Sequence, residues 1–146
     1  MSPEVVRDAM VPEPTTLAAE ASAQEAGRLF ADNGEVRAIF VTEDGGRLLG
    51  VVTRKTLVRE VVAAGPDPHT VTVREIAEPP NFTLDAGLDL DGAFHFLEEQ
   101  DLERVPVVEE DGRLVGVLSR AVVRRRLAED ESPQEEEERD TGSLVL

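Results

Sequence analysis

Two short runs of this 146-residue chain set reactive side chains at matching places: Gly50-Val-Val-Thr53-Arg54 and Gly116-Val-Leu-Ser119-Arg120. In each, a hydroxyl and then a guanidinium follow an apolar stretch. Thr53 and Ser119 stand where a helix N-cap belongs, a role worth about 1 kcal/mol by itself. The free N–H groups and the dipole of such an end also attract an anion, to which Arg54 or Arg120 would add charge-assisted bonds. Other reactive types are sparse. The absence of cysteine excludes a thiol nucleophile, a disulfide scaffold and thiolate metal sites. His69 lies in a proline-bearing linker and His95 opposite an apolar helix stripe, so no metal site is expected. No serine sits in a G-x-S-x-G context, and Glu98–Glu99 reads as a solvated helix face. No catalytic residue is named, and an enzyme is not expected.

The elements that must position these groups come in duplicate. A shift of 67 residues superposes Val6–Leu17 on Val73–Leu84, pairing Val6/Val73, Arg7/Arg74, Pro12/Pro79, Thr16/Thr83 and Leu17/Leu84. It also pairs Ala26/Ala93, Arg37/Arg104 and Val41/Val108. One extra glycine at Gly45–Gly46 then changes the shift to 66, laying Arg47–Arg54 on Arg113–Arg120. The chain is two copies of one unit of about sixty residues.

Each copy reads as a short leading helix (Val5–Met10, Val73–Ala77), a proline turn, a brief extended Thr-Thr-Leu or Phe-Thr-Leu, and a longer helix. Leu90, Ala93, Phe94 and Leu97 recur at helical spacing in one copy, and Ala23, Ala26 and Phe30 in the other. Strands at Arg37–Thr42 with Arg47–Val52, and Arg104–Val108 with Arg113–Leu118, flank Asp-Gly hairpin turns. A last helix carries Leu57, Val58, Val61 and Val62, or Val122, Val123 and Leu127. The expected divisions are 1–63, a linker at 64–71, 72–129, and a tail at 130–146. Leu29 and Phe96 fall at equivalent positions about 100° off their helix stripes, which suggests a second buried surface between copies or subunits.

Charge is strongly acidic, with 15 basic against 31 acidic side chains and a net charge of −16. Nucleic acid and anionic membrane surfaces are therefore poor partners. Residues 129–140 hold eight acids and one arginine, a net −7, and read as the start of a solvated acidic tail. The basic cluster of Arg120, Arg124, Arg125 and Arg126 just before it is read as pairing with the tail's glutamates. No apolar run approaches the eighteen or so residues that cross a bilayer, and the N-terminus has no secretory pattern, so a soluble cytoplasmic protein is expected.

A tandem βαββα unit with an R-h-P-V-V strand, a D-G hairpin and then G-V-h-S/T-R resembles the CBS-domain pair, or Bateman module. Arg104–Arg120 (RVPVVEEDGRLVGVLSR) and Arg37–Arg54 (RAIFVTEDGGRLLGVVTR) carry the resemblance, which covers roughly residues 5–128. It implies an α/β (α+β) fold of two CBS repeats related by pseudo-twofold symmetry, with a cleft in each half. It further implies a homodimer that regulates a protein effector and binds AMP, ADP, ATP or a related adenosyl ligand. In the family pattern Thr53 and Ser119 face the phosphate, beside Arg54 and Arg120. The adenine lies against Ala38 and Ile39 in one half, Val105 and Pro106 in the other, with Thr16 and Thr83 at the cleft border. The family's ribose-binding aspartate is replaced here by Thr56 and Val122. Thr56 retains a hydroxyl, so if one cleft keeps a ribose ligand it is expected to be the one on the Thr56 side. The alternative is a ligand-independent dimeric scaffold that meets another protein.

Overall fold

Local signals start each principal helix. Ser22 caps α2 (Ala23–Asp32) by accepting from the Glu25 N–H at 3.2 Å, while the Glu25 carboxylate returns to the Ser22 N–H. Asp89 caps α5 (Leu90–Glu99) through the Gly92 N–H at 2.9 Å. The structure is a computed structural model that describes residues 4–131. In chain order it runs α1 (Val6–Ala9), β1 (Val11–Pro12), β2 (Thr16–Ala18), α2, β3 (Ile39–Glu43), β4 (Arg47–Val52) and α3 (Arg54–Leu57). After a π-helical turn at Val58–Ala63 come α4 (Val73–Ile76), β5 (Leu84–Asp85), α5, β6 (Arg104–Val108), β7 (Leu114–Ser119) and α6 (Arg120–Glu131). The mixed α+β fold repeats once, as the sequence leads one to expect. Strand β3 begins two residues later than the pattern suggests, leaving Arg37 and Ala38 in the approach to the sheet.

The leading segments depart from a simple tandem. Strands β2, β3 and β4 form one sheet, with β2 parallel to β3 and β3 antiparallel to β4. The other sheet runs β1-β7-β6-β5, so β1 of the first copy pairs with β7 of the second. In reciprocal fashion Glu78 bridges Val51 on β4, with backbone bonds of 2.8 and 2.9 Å in the two directions. The cores follow this exchange. Val6 and Ala9 of α1 are buried with Leu84, Leu90, Leu97, Val105, Val107 and Leu118. Val73 and Ile76 of α4 are buried with Ala26, Phe30, Ile39, Val41 and Val52. Each leading helix thus completes the hydrophobic core of the other repeat, and the packing unit differs from the sequence repeat.

Gly50 and Gly116 mark the two crossings. A Cβ on Gly50 would lie 2.8 Å from the Glu78 carbonyl oxygen and 2.9 Å from the Ala77 Cβ. On Gly116 it would lie 2.8 Å from the Val11 carbonyl oxygen and 2.6 Å from Met10 Sδ. Only glycine admits a backbone this close. Equivalent ion pairs join the exchanged helices to the opposite strands: Arg7 with Glu109, and Arg74 with Glu43, each at 2.6 Å. The hairpin tips also interlock, Leu48 N–H donating to Gly112 and Leu114 N–H to Gly46.

Leu29 and Phe96 are partly buried and pack on the cores of their own halves, Phe96 edge-to-face with Phe82 at 5.3 Å. Helix α6 continues to Glu131, so the stretch expected as tail from residue 130 starts within a helix, and 132–146 lie outside the described residues. The arginines before it find acids in the body of the fold: Arg120 with Asp101 and Glu103, Arg124 with Glu98, and Arg126 with Glu4. In the π-helical turn Leu57 and Val61 reach the first core, but Val58 is 58% exposed and Val62 75% exposed.

Candidate functional site: an inter-repeat cleft

The exchanged segments and the two sheets border an open cleft of about 470 Å³ to which both halves contribute. Thr15, Val36, Ala38, Phe40 and Val51 line it from the first half. Phe82, Leu102, Val105, Pro106 and Val117 line it from the second. Its walls are mainly aliphatic and aromatic, and its volume falls in the range of small-molecule sites. Of the residues named from the sequence, Ala38, Val105 and Pro106 reach it. Thr16 and Thr83 are exposed neighbours of the lining residues Thr15 and Phe82. Ile39 is wholly buried in the first core, because alternation along β3 turns it the other way.

The hydroxyls at the helix starts are occupied locally. Thr53 Oγ1 accepts from the Thr56 N–H at 3.2 Å, Thr56 Oγ1 accepts from the Thr53 N–H at 3.0 Å, and the two oxygens lie 3.0 Å apart. Thr56 has no exposed surface. The expectation that it offers a hydroxyl to ribose is therefore corrected: the side chain closes a capping box inside the fold. Ser119 accepts from the Val122 N–H at 3.5 Å, a long version of the same cap.

Arg54 and Arg120 are bonded within their own halves. Arg54 donates to the carbonyl oxygens of Val36 at 2.6 Å, Phe30 at 3.1 Å and Asn33 at 3.4 Å, and stacks on the Phe30 ring. Arg120 donates to Asp101 at 3.2 Å and to Glu103 at 2.5 Å. The hydrogen bond to Asp101 leads in holding the Arg120 guanidinium above its ordinary pKa. Neither guanidinium lines the cavity. Each ties down the loop that follows the long helix of its half, and those loops supply the wall residues Val36 and Leu102.

Sequence reasoning passed over Arg37 and Arg104 as site residues. They are equivalent in the repeat, they line the cavity, and among the described residues neither side chain has a hydrogen bond or ion pair. Their signal was the repeat alignment itself, which retains an arginine immediately before the apolar strand in both copies. Two carboxylates also face the cavity, Glu35 and Glu78, and Glu78 is bonded by Arg59.

The CBS domain profile matches residues 6–63 and 73–129, which together make up most of the chain. The chain belongs to the CBS domain family. As a CBS pair it is 35% identical over 95 residues to hypoxic response protein 1 of Mycobacterium tuberculosis, an alignment taking in 65% of this chain and 66% of that protein, slightly under two thirds. The crystal structure of Hypoxic Response Protein I with two coordinated zinc ions superposes with a TM-score of 0.71 at 29% identity, covering 84% of this chain and 98% of that one. Among the described residues here, no cluster of three His, Cys, Asp or Glu side chains is placed to hold a metal ion. CBSX2, crystallised in complex with AMP, shares the fold with a TM-score of 0.68 at 24% identity, covering 88% of this chain and 98% of that one.

Proposed function

We propose that this CBS pair is a non-catalytic regulatory module of the cytoplasm that senses an adenine nucleotide or a related phosphorylated ligand in the cavity between its repeats. The observation that carries the reading is one apolar cavity, built by both halves, with the unpartnered guanidinium groups of Arg37 and Arg104 at its wall. A planar base is matched by the ring of Phe82 and the aliphatic surfaces of Val105 and Pro106. A phosphate is matched by a free guanidinium, whose fork geometry suits it. The AMP held by CBSX2 is consistent with this ligand class. Because the cavity draws on both repeats, an occupant favours one packing of the halves over others, which is how such a module signals to an effector protein.

With Val122 apolar and the Thr56 hydroxyl engaged in its cap, no carboxylate from those positions holds a ribose. A hydrogen bond to a charged group contributes about 1.5–3 kcal/mol, so affinity about tenfold to a hundredfold below that of an aspartate-bearing cleft is expected. A thermal-shift scan against AMP, ADP, ATP, S-adenosylmethionine and cyclic dinucleotides tests the proposal. A ligand at a hundred times its dissociation constant stabilises by about 2.7 kcal/mol, which for a chain of this size raises Tm by about 5–10 °C. A flat response across the panel removes the sensor reading.

A second reading, a ligand-independent dimeric scaffold, is favoured by one specific feature. Val58 and Val62 lie one helical turn apart and are both exposed, while the equivalent positions in the second repeat are Arg124 and Ala128. Such a face suits a second copy of the same chain, meeting it across a twofold axis. Among the described residues no helix is long and apolar enough to cross a membrane.

A further inference from the structure

We infer that Glu35 closes the first half of the cavity to anions, so that the chain takes one acidic ligand, with its acid group on Arg104; this rests on the sensor reading above.

The argument comes from where the repeat breaks its own symmetry. Arg37 and Arg104 are equivalent, and so are the positions two residues before them. There the first repeat has Glu35 and the second has Leu102, and all four side chains line the same cavity. Among the described residues the one other charged lining residue is Glu78, which carries the Arg59 guanidinium on its carboxylate. Glu35 forms no ion pair among the described residues, with Arg37 or any other group. The first half therefore offers an incoming anion a guanidinium and an unneutralised carboxylate together. The second offers a guanidinium beside leucine.

Neighbouring charges stand outside the lining. The Arg54 guanidinium is turned onto three carbonyl oxygens, and the exposed Asp101 and Glu103 share the Arg120 guanidinium; none of these four side chains lines the cavity. Glu35 is exposed at the mouth of the cavity, so its repulsion of an anion beside it is that of a surface charge, weakened by water and by salt. A base stacked near Phe82 and Pro106 also lies on the Arg104 side, which places both parts of a nucleotide in the second half.

Isothermal titration of the full chain with AMP and with ATP, in parallel, tests this directly. The expected result is one nucleotide per chain, with R104A weakening binding tenfold or more and R37A changing it less than threefold. E35Q and E35L, at an exposed position that leaves the cores untouched, are expected to admit a second nucleotide that R37A then removes. Two nucleotides per chain in the unaltered protein, or equal losses in R37A and R104A, would overturn the role of Glu35 while leaving the sensor reading in place. No binding of either nucleotide, together with a flat thermal-shift panel, would overturn the sensor reading and this inference with it.

Discussion

At the scale of single residues, the glycines of the two G-V-h-S/T-R runs act by what they lack. Gly50 and Gly116 each pass under a backbone carbonyl of the exchanged segment at a distance no Cβ tolerates. Gly50→Ala and Gly116→Ala are each expected to destabilise by about 1–3 kcal/mol, the range of overpacking with backbone displacement, read as a lowered urea midpoint. An alanine tolerated at either place would mean that the crossing is looser than described. Glu43 makes a second prediction. The hydrogen bond from Arg74 leads in holding its carboxyl below the ordinary value of 4.5. A carboxylate with a depressed folded-state pKa contributes stability above its unfolded value, and that contribution is lost as pH falls through the folded value. Replacing Glu43 with Gln should thus flatten the acid limb of the stability profile below about pH 4.5 and move α4 first, as followed by urea melts from pH 7 down to pH 3. The caps at Thr53 and Ser119 were legible from spacing alone, but the part of Thr56 in closing the first one was not. The engagement of Arg54 with three carbonyls was not, since those acceptors lie 18 to 24 residues away and are brought to it by packing.

Among the elements, the decisive feature is the exchange of leading helices. Val6 is wholly buried in the second core although it begins the first repeat. Val6→Ala removes two methyl-sized groups from that site and should cost about 2 kcal/mol, transfer and cavity together. The more telling measurement is native-state hydrogen exchange. The amides of α1 and β1 are expected to open together with β7 and α5, and those of α4 with α2 and β4. Protection of α1 that tracked α2 would show that each repeat folds on its own leading helix. Hairpins, caps and amphipathic stripes were open to sequence reading because each is decided within about ten residues. The exchange was hidden because both sequence copies carry the same leading pattern, Val-Arg at its start and proline at its end. Self-similarity shows that a helix is present in each copy but leaves open which of two equivalent cores receives it.

For the molecule as a whole, the exchange ties the repeats into one body. Under the sensor proposal, a ligand between them would act on conformation through shared cores rather than through a linker. The exposed Val58 and Val62 bear on assembly. The chain is expected to scatter light as a dimer at micromolar concentration, and V58E/V62E to scatter as a monomer with its circular dichroism melt little changed. A monomer in the unaltered protein would remove the dimer and with it the scaffold reading. From composition and order alone, this sequence determined that two βαββα copies exist, where their strands and caps lie, and that the chain carries no thiol. Those properties depend on short-range periodicity and on residue types present or absent. Only the tertiary structure decided that the copies trade leading helices, that Arg54 and Arg120 brace loops, and that Arg37, Arg104 and Glu35 face one cavity. The reason is physical: equivalent halves offer equivalent local energies, and the choice between them is made by contacts across the pseudo-twofold axis, which exist only once both halves have folded.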